Sequence, residues 1–183
     1  MSIVKIGVIV GSIRKDSFNQ KLTLALARLA PEGFVFEHIG IEDLPLFSED
    51  REFEPNPVVA AFKRAIESSD AILFATPEYN RSFPGVLKNA LDVGSRPKGE
   101  SAWSGKPAGM VGVALGAAGT AMAQQHLRGV LSFLNMPTLP QPEAYIQYKD
   151  GLFDADGNIG PASRDFLQDW MDQFAAWIRK IKG

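Results

Sequence analysis

Five short apolar runs, rich in β-branched residues, alternate along the chain with segments of helical periodicity. The runs are Ile3–Val10, Phe34–Ile39, Ala71–Ala75, Ala108–Leu115 and the proline-interrupted Thr138–Gln147. A run that is apolar at consecutive positions fits a strand buried on both faces, and such strands occur in parallel sheets covered by helices. The intervening segments supply the covers. Leu22, Ala25, Leu26 and Leu29 recur at helical spacing until Pro31 and Gly33 stop them. Val58, Val59, Phe62 and Ile66 mark a second helix, and Val86, Leu87, Ala90, Leu91 and Val93 a third that begins at Pro84. Thr120–Leu134 reads as a fourth. The last, from about Pro161, carries Phe166, Leu167, Trp170, Met171, Phe174, Trp177, Ile178 and Ile181 at helical steps, a stripe suited to core packing or a subunit contact. Its end holds Arg179, Lys180 and Lys182, cations that suit a helix C-terminus. The order βαβαβαβαβα predicts an α/β fold with a doubly wound, five-stranded parallel sheet of strand order 2-1-3-4-5 and helices on both faces. With 183 residues and no repeat or linker, 1–183 reads as one domain.

The composition removes several classes of function. There is no cysteine, so disulfide frameworks, Cys-ligated metals and Cys nucleophiles are excluded. A net charge of −2 carries no basic surplus of the kind a nucleic-acid binder shows. No apolar stretch approaches the roughly 18 residues of a membrane span, and no signal-peptide pattern is present, so a cytoplasmic protein with no membrane partner is expected. His38 and His126 are the only histidines, no G-x-S-x-G occurs, and no His/carboxylate cluster points to a metal. Asp154, Asp156 and Asn158 mimic the start of a calcium loop, but Ile159 stands where its glycine belongs, so the segment reads as a turn.

In doubly wound sheets ligands bind at the carboxyl ends of the strands, near the topological switch point. Three loops leave strand ends there: Gly11–Asn19, Pro77–Ser82 and Gly116–Gly119. The first, GSIRKDSFNQ, opens a helix, whose free N–H groups and partial positive charge attract an anion. Ser12, Arg14, Ser17 and Asn19 add directional donors to it. Neither the dinucleotide fingerprint nor the P-loop pattern fits, since only Gly7 and Gly11 lie near the first strand and Gly105-Lys106 is followed by Pro107. The loop therefore suits a terminal monophosphate; the bland alternative is a turn in which Ser17 caps the helix. The second loop offers Tyr79 as a flat surface with a polar tip.

GSIRKDSFN, TPEYNRSFPGVLKNALD and the Gly-rich turn after the fourth strand resemble the NADPH-dependent FMN reductase family, in particular its chromate and quinone reductase branch. The resemblance runs over nearly the whole chain and implies a flavodoxin-like FMN-binding domain. It implies that Ser12, Arg14, Ser17, Asn19 and Gln20 surround the FMN phosphate. Pro77, Glu78, Tyr79, Asn80 and Ser82 would line the isoalloxazine, with Leu115, Gly116 and Ala117 closing its far side. It implies NADPH or NADH as donor, small-molecule acceptors such as quinones and chromate, ping-pong electron transfer, and a homodimer or homotetramer. One departure is Arg81, where family members often carry an aromatic residue. Arg81 and Arg96 are accordingly expected on the substrate side, meeting an anionic donor or acceptor. Residues 77–107 hold five bases against three acids, a surplus of the kind that attracts anions. No catalytic acid or base is expected, because a flavin performs the difficult chemistry. Trp103, in a polar loop, is expected exposed beside the site and available to a second subunit. The alternatives are a flavodoxin-like electron carrier that does not oxidise NAD(P)H, and a signalling domain on a CheY-like sheet. The latter would need acids where Gly11-Ser12 stands.

Overall fold

In the computed structural model, which describes residues 3–183, one parallel sheet has the order β2-β1-β3-β4-β5. Its strands are β1 (Val4–Val10), β2 (Phe34–His38), β3 (Ala71–Ala75), β4 (Ala108–Ala114) and β5 (Ala144–Gln147). The helices are α1 (Phe18–Ala27), α2 (Pro57–Glu67), α3 (Gly85–Gly94), α4 (Ala121–Phe133) and α5 (Pro161–Lys182). The strand order is the one the alternating pattern predicts. The register sets Val10 beside Ala75 and Ala75 beside Val111, so the carboxyl ends of the three central strands form one edge.

Two cores flank the sheet. On one face Leu22 and Leu26 of α1 meet Leu167, Trp170 and Phe174 of α5. On the other, Phe62 and Ile66 of α2, Leu87 and Leu91 of α3, and Leu127 and Leu131 of α4 pack together. Most of the α5 stripe is thus core, with Leu167, Trp170, Met171, Phe174 and Ile178 buried and Phe166 and Ile181 left exposed. Trp103 is also core, and its expected exposure is corrected: it is 0% exposed, and its Nε1 donates to Leu91 O at 3.0 Å. Gly94 permits this, since a Cβ there would lie 2.6 Å from the indole nitrogen. The polar letters around Trp103 hid an indole that closes the floor under α3.

Proline and the polar caps start the helices as their chemistry dictates. Pro57 and Pro161 take first helical positions, where a missing N–H costs nothing, and Asn56 caps α2 through Val58 and Val59 N–H. Pro84 stands one residue before α3 rather than in its first turn. The Asp154 segment is a turn, as expected: the Asp154 carboxylate accepts from the N–H groups of Asp156 and Asn158. Those contacts, with the Asn158 side-chain amide contributing most, hold its carboxyl below the ordinary range. Among the described residues no group of acids and histidines is placed to hold a metal, and no helix is long and apolar enough to cross a membrane.

Candidate functional site

The three predicted loops do meet at the carboxyl edge. Gly11 N–H donates to Ala75 O at 2.8 Å and Thr76 N–H to Val111 O at 3.0 Å, so the loops start from adjacent, mutually bonded strand ends.

The first loop divides into exposed donors and buried braces. Ser12 and Gln20 are half-buried, Arg14 is exposed, and a hollow of about 230 Å³ brings them together with Lys15. Ser12 Oγ accepts a long 3.4 Å bond from Arg14 N–H. Ser17 is the N-cap of α1, its hydroxyl accepting from Gln20 N–H at 3.3 Å. The α1 N–H groups of Phe18 and Asn19 precede the first intrahelical bond and find no acceptor among the described residues. Asn19 departs from expectation. Its amide is buried and pairs twice with Val113 of β4, donating Nδ2–H to the carbonyl and accepting the N–H, both at 3.0 Å. An amide matches a peptide group in both polarity and spacing, so Asn19 pins α1 to the sheet.

The second loop is a tight reversal. Tyr79 and Ser82 exchange both backbone bonds, at 2.8 and 3.0 Å, with Asn80 and Arg81 at φ values of 52° and 65° between them. Two consecutive left-handed residues define a type I′ turn, which Asn accepts readily and Arg does not. Pro77 is buried, and its carbonyl accepts from the Thr76 hydroxyl at 2.8 Å. Tyr79 is left 51% exposed. The Glu78 carboxylate is engaged within the chain: its Oε2 accepts from the N–H groups of Met122 and Ala123 at 2.9 and 3.1 Å. It thereby caps α4, whose own N-cap, Thr120, makes no capping bond and whose first turn contains no acid. That vacancy in the α4 first turn was the sequence signal for a carboxylate arriving from elsewhere. Arg81 Nη1 lies 3.5 Å from Glu78 Oε1, with the arginine side chain 77% exposed. Ser82 Oγ bonds His126 Nδ1 of α4 at 3.1 Å, a contact that nothing in the sequence spacing announced.

The third loop is open. Leu115 is 69% exposed, Gly116 and Ala117 are exposed, and a Cβ at Gly116 would meet nothing within 4 Å.

Arg96 stands apart from this assembly. It follows α3, whose ten residues, Gly85–Gly94, span about 15 Å away from the second loop. There it pairs with Glu49 at 3.6 Å and Glu52 at 3.8 Å and lies over Phe47. The basic surplus of residues 77–107 is likewise dispersed. Lys88 pairs with Asp92, and Lys106 donates to Glu67 O and Ser69 O at the opposite edge of the sheet.

An open 2-1-3-4-5 sheet with an anion-ready loop on its first strand and an aromatic-bearing loop on its third defines a mononucleotide-binding α/β protein of flavodoxin type. The chain belongs to the NADPH-dependent FMN reductase family, whose model matches residues 4–151. It is 51% identical over 177 residues to a 2-hydroxy-1,4-benzoquinone reductase of Burkholderia sp., covering 96% of this chain and 97% of that one. A quinone reductase of Pseudomonas putida is 48% identical over 178 residues, with 97% and 96% covered. Among solved structures, the flavoenzyme NAD(P)H:(acceptor) oxidoreductase FerB of Paracoccus denitrificans superposes with a TM-score of 0.93 at 41% identity, covering 97% of this chain and 98% of that one.

The residues present fit FMN. The first loop presents a guanidinium, a hydroxyl and free helix N–H groups to a phosphate. The second and third present a half-exposed aromatic ring, main-chain N–H groups and a space that Gly116 leaves clear.

Proposed function

We propose that the chain, as a single FMN-binding domain over residues 1–183, is an oxidoreductase that takes electrons from NADPH or NADH and passes them to quinones, with chromate and other small oxidants as further acceptors. The observation that carries this reading is the carboxyl edge itself. Three loops, cross-braced by Asn19 and Glu78, leave a donor-rich end and a flat, open end side by side. Bound there, FMN supplies hydride acceptance and release, so that donor and acceptor use one open face in turn, in ping-pong fashion.

The chain's part is to bind, orient and stabilise charge. Ser12, Arg14, Gln20 and the free N–H groups of α1 hold the phosphate, and Ser17 shapes that helix start. Pro77, Tyr79, Asn80 and Ser82 wall the ring on one side, and Leu115, Gly116 and Ala117 on the other. The main-chain N–H groups of these loops would stabilise negative charge on a bound ring, because Glu78 already occupies the positive end of α4. No side-chain acid or base is required. The exposed Arg81 guanidinium offers a planar fork to an anionic donor or acceptor. Arg96 sits a helix length from its own second loop, so a substrate-side role for Arg96 requires a second copy of the chain. A homodimer or homotetramer is part of the proposal: Phe133, 90% exposed on α4, borders a groove with Val130 and Leu134. A cytoplasmic location accords with the pyridine-nucleotide donors.

Steady-state kinetics with NADPH and a benzoquinone tests the reading. Parallel double-reciprocal lines and FMN, not FAD, in the mass spectrum of the released flavin are expected. Absence of NAD(P)H oxidation by flavin-loaded protein would favour the electron carrier instead.

A further inference from the structure

Arg14 is held by a ring and not by an acid. Among the described residues no carboxylate lies within salt-bridge distance of it; its guanidinium carbon instead sits 5.2 Å over the centroid of the Phe18 ring. Phe18 is the first residue of α1, so this contact fixes the cation beside the free N–H groups of the helix start. Phe18 is itself backed by Tyr148, with ring centroids 4.1 Å apart and planes 20° from parallel. Tyr148 follows β5 directly, and its N–H donates to Ala114 O at 2.8 Å, which ties the back of the stack to the carboxyl edge of the sheet. The three-layer pile therefore runs from the sheet through α1 to the first loop.

The choice of partner has a chemical consequence. A carboxylate would orient Arg14 but neutralise it and occupy the N–H groups a phosphate needs. An aromatic face attracts the cation from one side only and leaves the in-plane N–H donors free. We propose that Phe18 and Tyr148 are positioning residues, which hold the Arg14 guanidinium ready for the flavin phosphate without competing for its charge. This rests on the assignment of the first loop to the FMN phosphate.

The test uses purified holoprotein equilibrated with equal concentrations of free FMN and riboflavin, which differ only in the phosphate. Protein-bound flavin is then separated and identified by chromatography. The ratio of bound FMN to bound riboflavin reads the phosphate site alone, since a change in ring binding alters both flavins together. Arg14→Ala is expected to lower the ratio by about ten-fold or more, as loss of a charged hydrogen bond implies. Phe18→Leu is expected to lower it by about two- to five-fold, the effect of an exposed cation–π contact. Tyr148→Leu should act in the same direction more weakly, and Tyr148→Phe, which keeps the stack, should match the parent. If Arg14→Ala lowers the ratio while Phe18→Leu and Tyr148→Leu leave it at the parental value, the stack is packing only and the proposal is overturned. If Arg14→Ala also leaves it unchanged, the phosphate assignment itself fails. Should Phe18→Leu not fold, the Tyr148 pair decides, because it leaves α1 intact.

Discussion

The two edges of the sheet treat their charges in opposite ways. At the amino edge, Asp70, just before β3, accepts from Lys5 N–H at 2.7 Å and is bound by Lys182 of α5, and Lys106 donates to the carbonyls of Glu67 and Ser69. These three donors all find partners within the chain. At the carboxyl edge Arg14 has no acid partner among the described residues and lies over Phe18, the first N–H groups of α1 have no intrahelical acceptor, and Gly116 opens onto space. The polar groups that are consumed at that edge, Asn19 and Glu78, serve to fasten the loops to one another. A closed edge secures the fold, whereas an edge with fixed but unpaired donors is prepared for something from outside.

Substitutions can break this contrast. Asn19→Ala would leave both polar groups of Val113 buried and unpaired. A loss of about 2–4 kcal/mol in unfolding free energy is expected by urea titration. An unchanged midpoint would remove Asn19 from the bracing role. Arg14→Ala should do the reverse: FMN retention falls by about 1.5–3 kcal/mol, or roughly 10- to 150-fold in dissociation constant, while the flavin-free unfolding midpoint stays put. Equilibrium dilution followed by flavin fluorescence measures it. Glu78→Gln keeps an acceptor for the α4 N–H groups but removes the charge, for a loss of about 0.5–1 kcal/mol seen in thermal unfolding.

Asp70→Asn probes the closed edge and its pH dependence. Burial alone would raise the Asp70 carboxyl, but hydrogen bonds from Lys182 and Lys5 N–H, with the charges of Lys182 and Lys106, hold it below its usual 3.8. A depressed folded value stabilises above the unfolded one and ceases to do so as pH falls through the folded one. The substitution should cost about 1 kcal/mol at neutral pH, reduced from the full charged-bond value by partial solvent screening. The difference from the parent should shrink once the pH drops below about 4. A difference that stayed constant into acid would mean the Asp70 charge contributes nothing.

The contrast between the edges also decides what was legible in the sequence. Strand order, helix positions and the three loops followed from local pattern, because continuous apolar runs and helical periodicity are properties of neighbouring residues. Within the loops, the division of labour among the residues did not follow from local pattern. Asn19 and Val113 are 94 positions apart, and Glu78 reaches its α4 partners across more than forty residues. Such pairings depend on how the strands are laid side by side, which no local window contains. Trp103 misled for the same reason: its polar neighbours are adjacent in sequence, while the residues that bury it, Phe62 and Phe74, are not. Arg96 follows the second loop by only fourteen residues, yet a helix carries it to the far end.

The central claim is that the open edge holds a flavin which NAD(P)H reduces. Anaerobic mixing of the purified, flavin-loaded protein with NADPH or NADH, followed by visible absorbance, tests it most directly. Bleaching of the flavin band by the nucleotide, and its return on addition of a benzoquinone without oxygen, is the predicted result. A protein that purifies without flavin, or whose flavin band survives both nucleotides and yields only to a chemical reductant, would contradict the account.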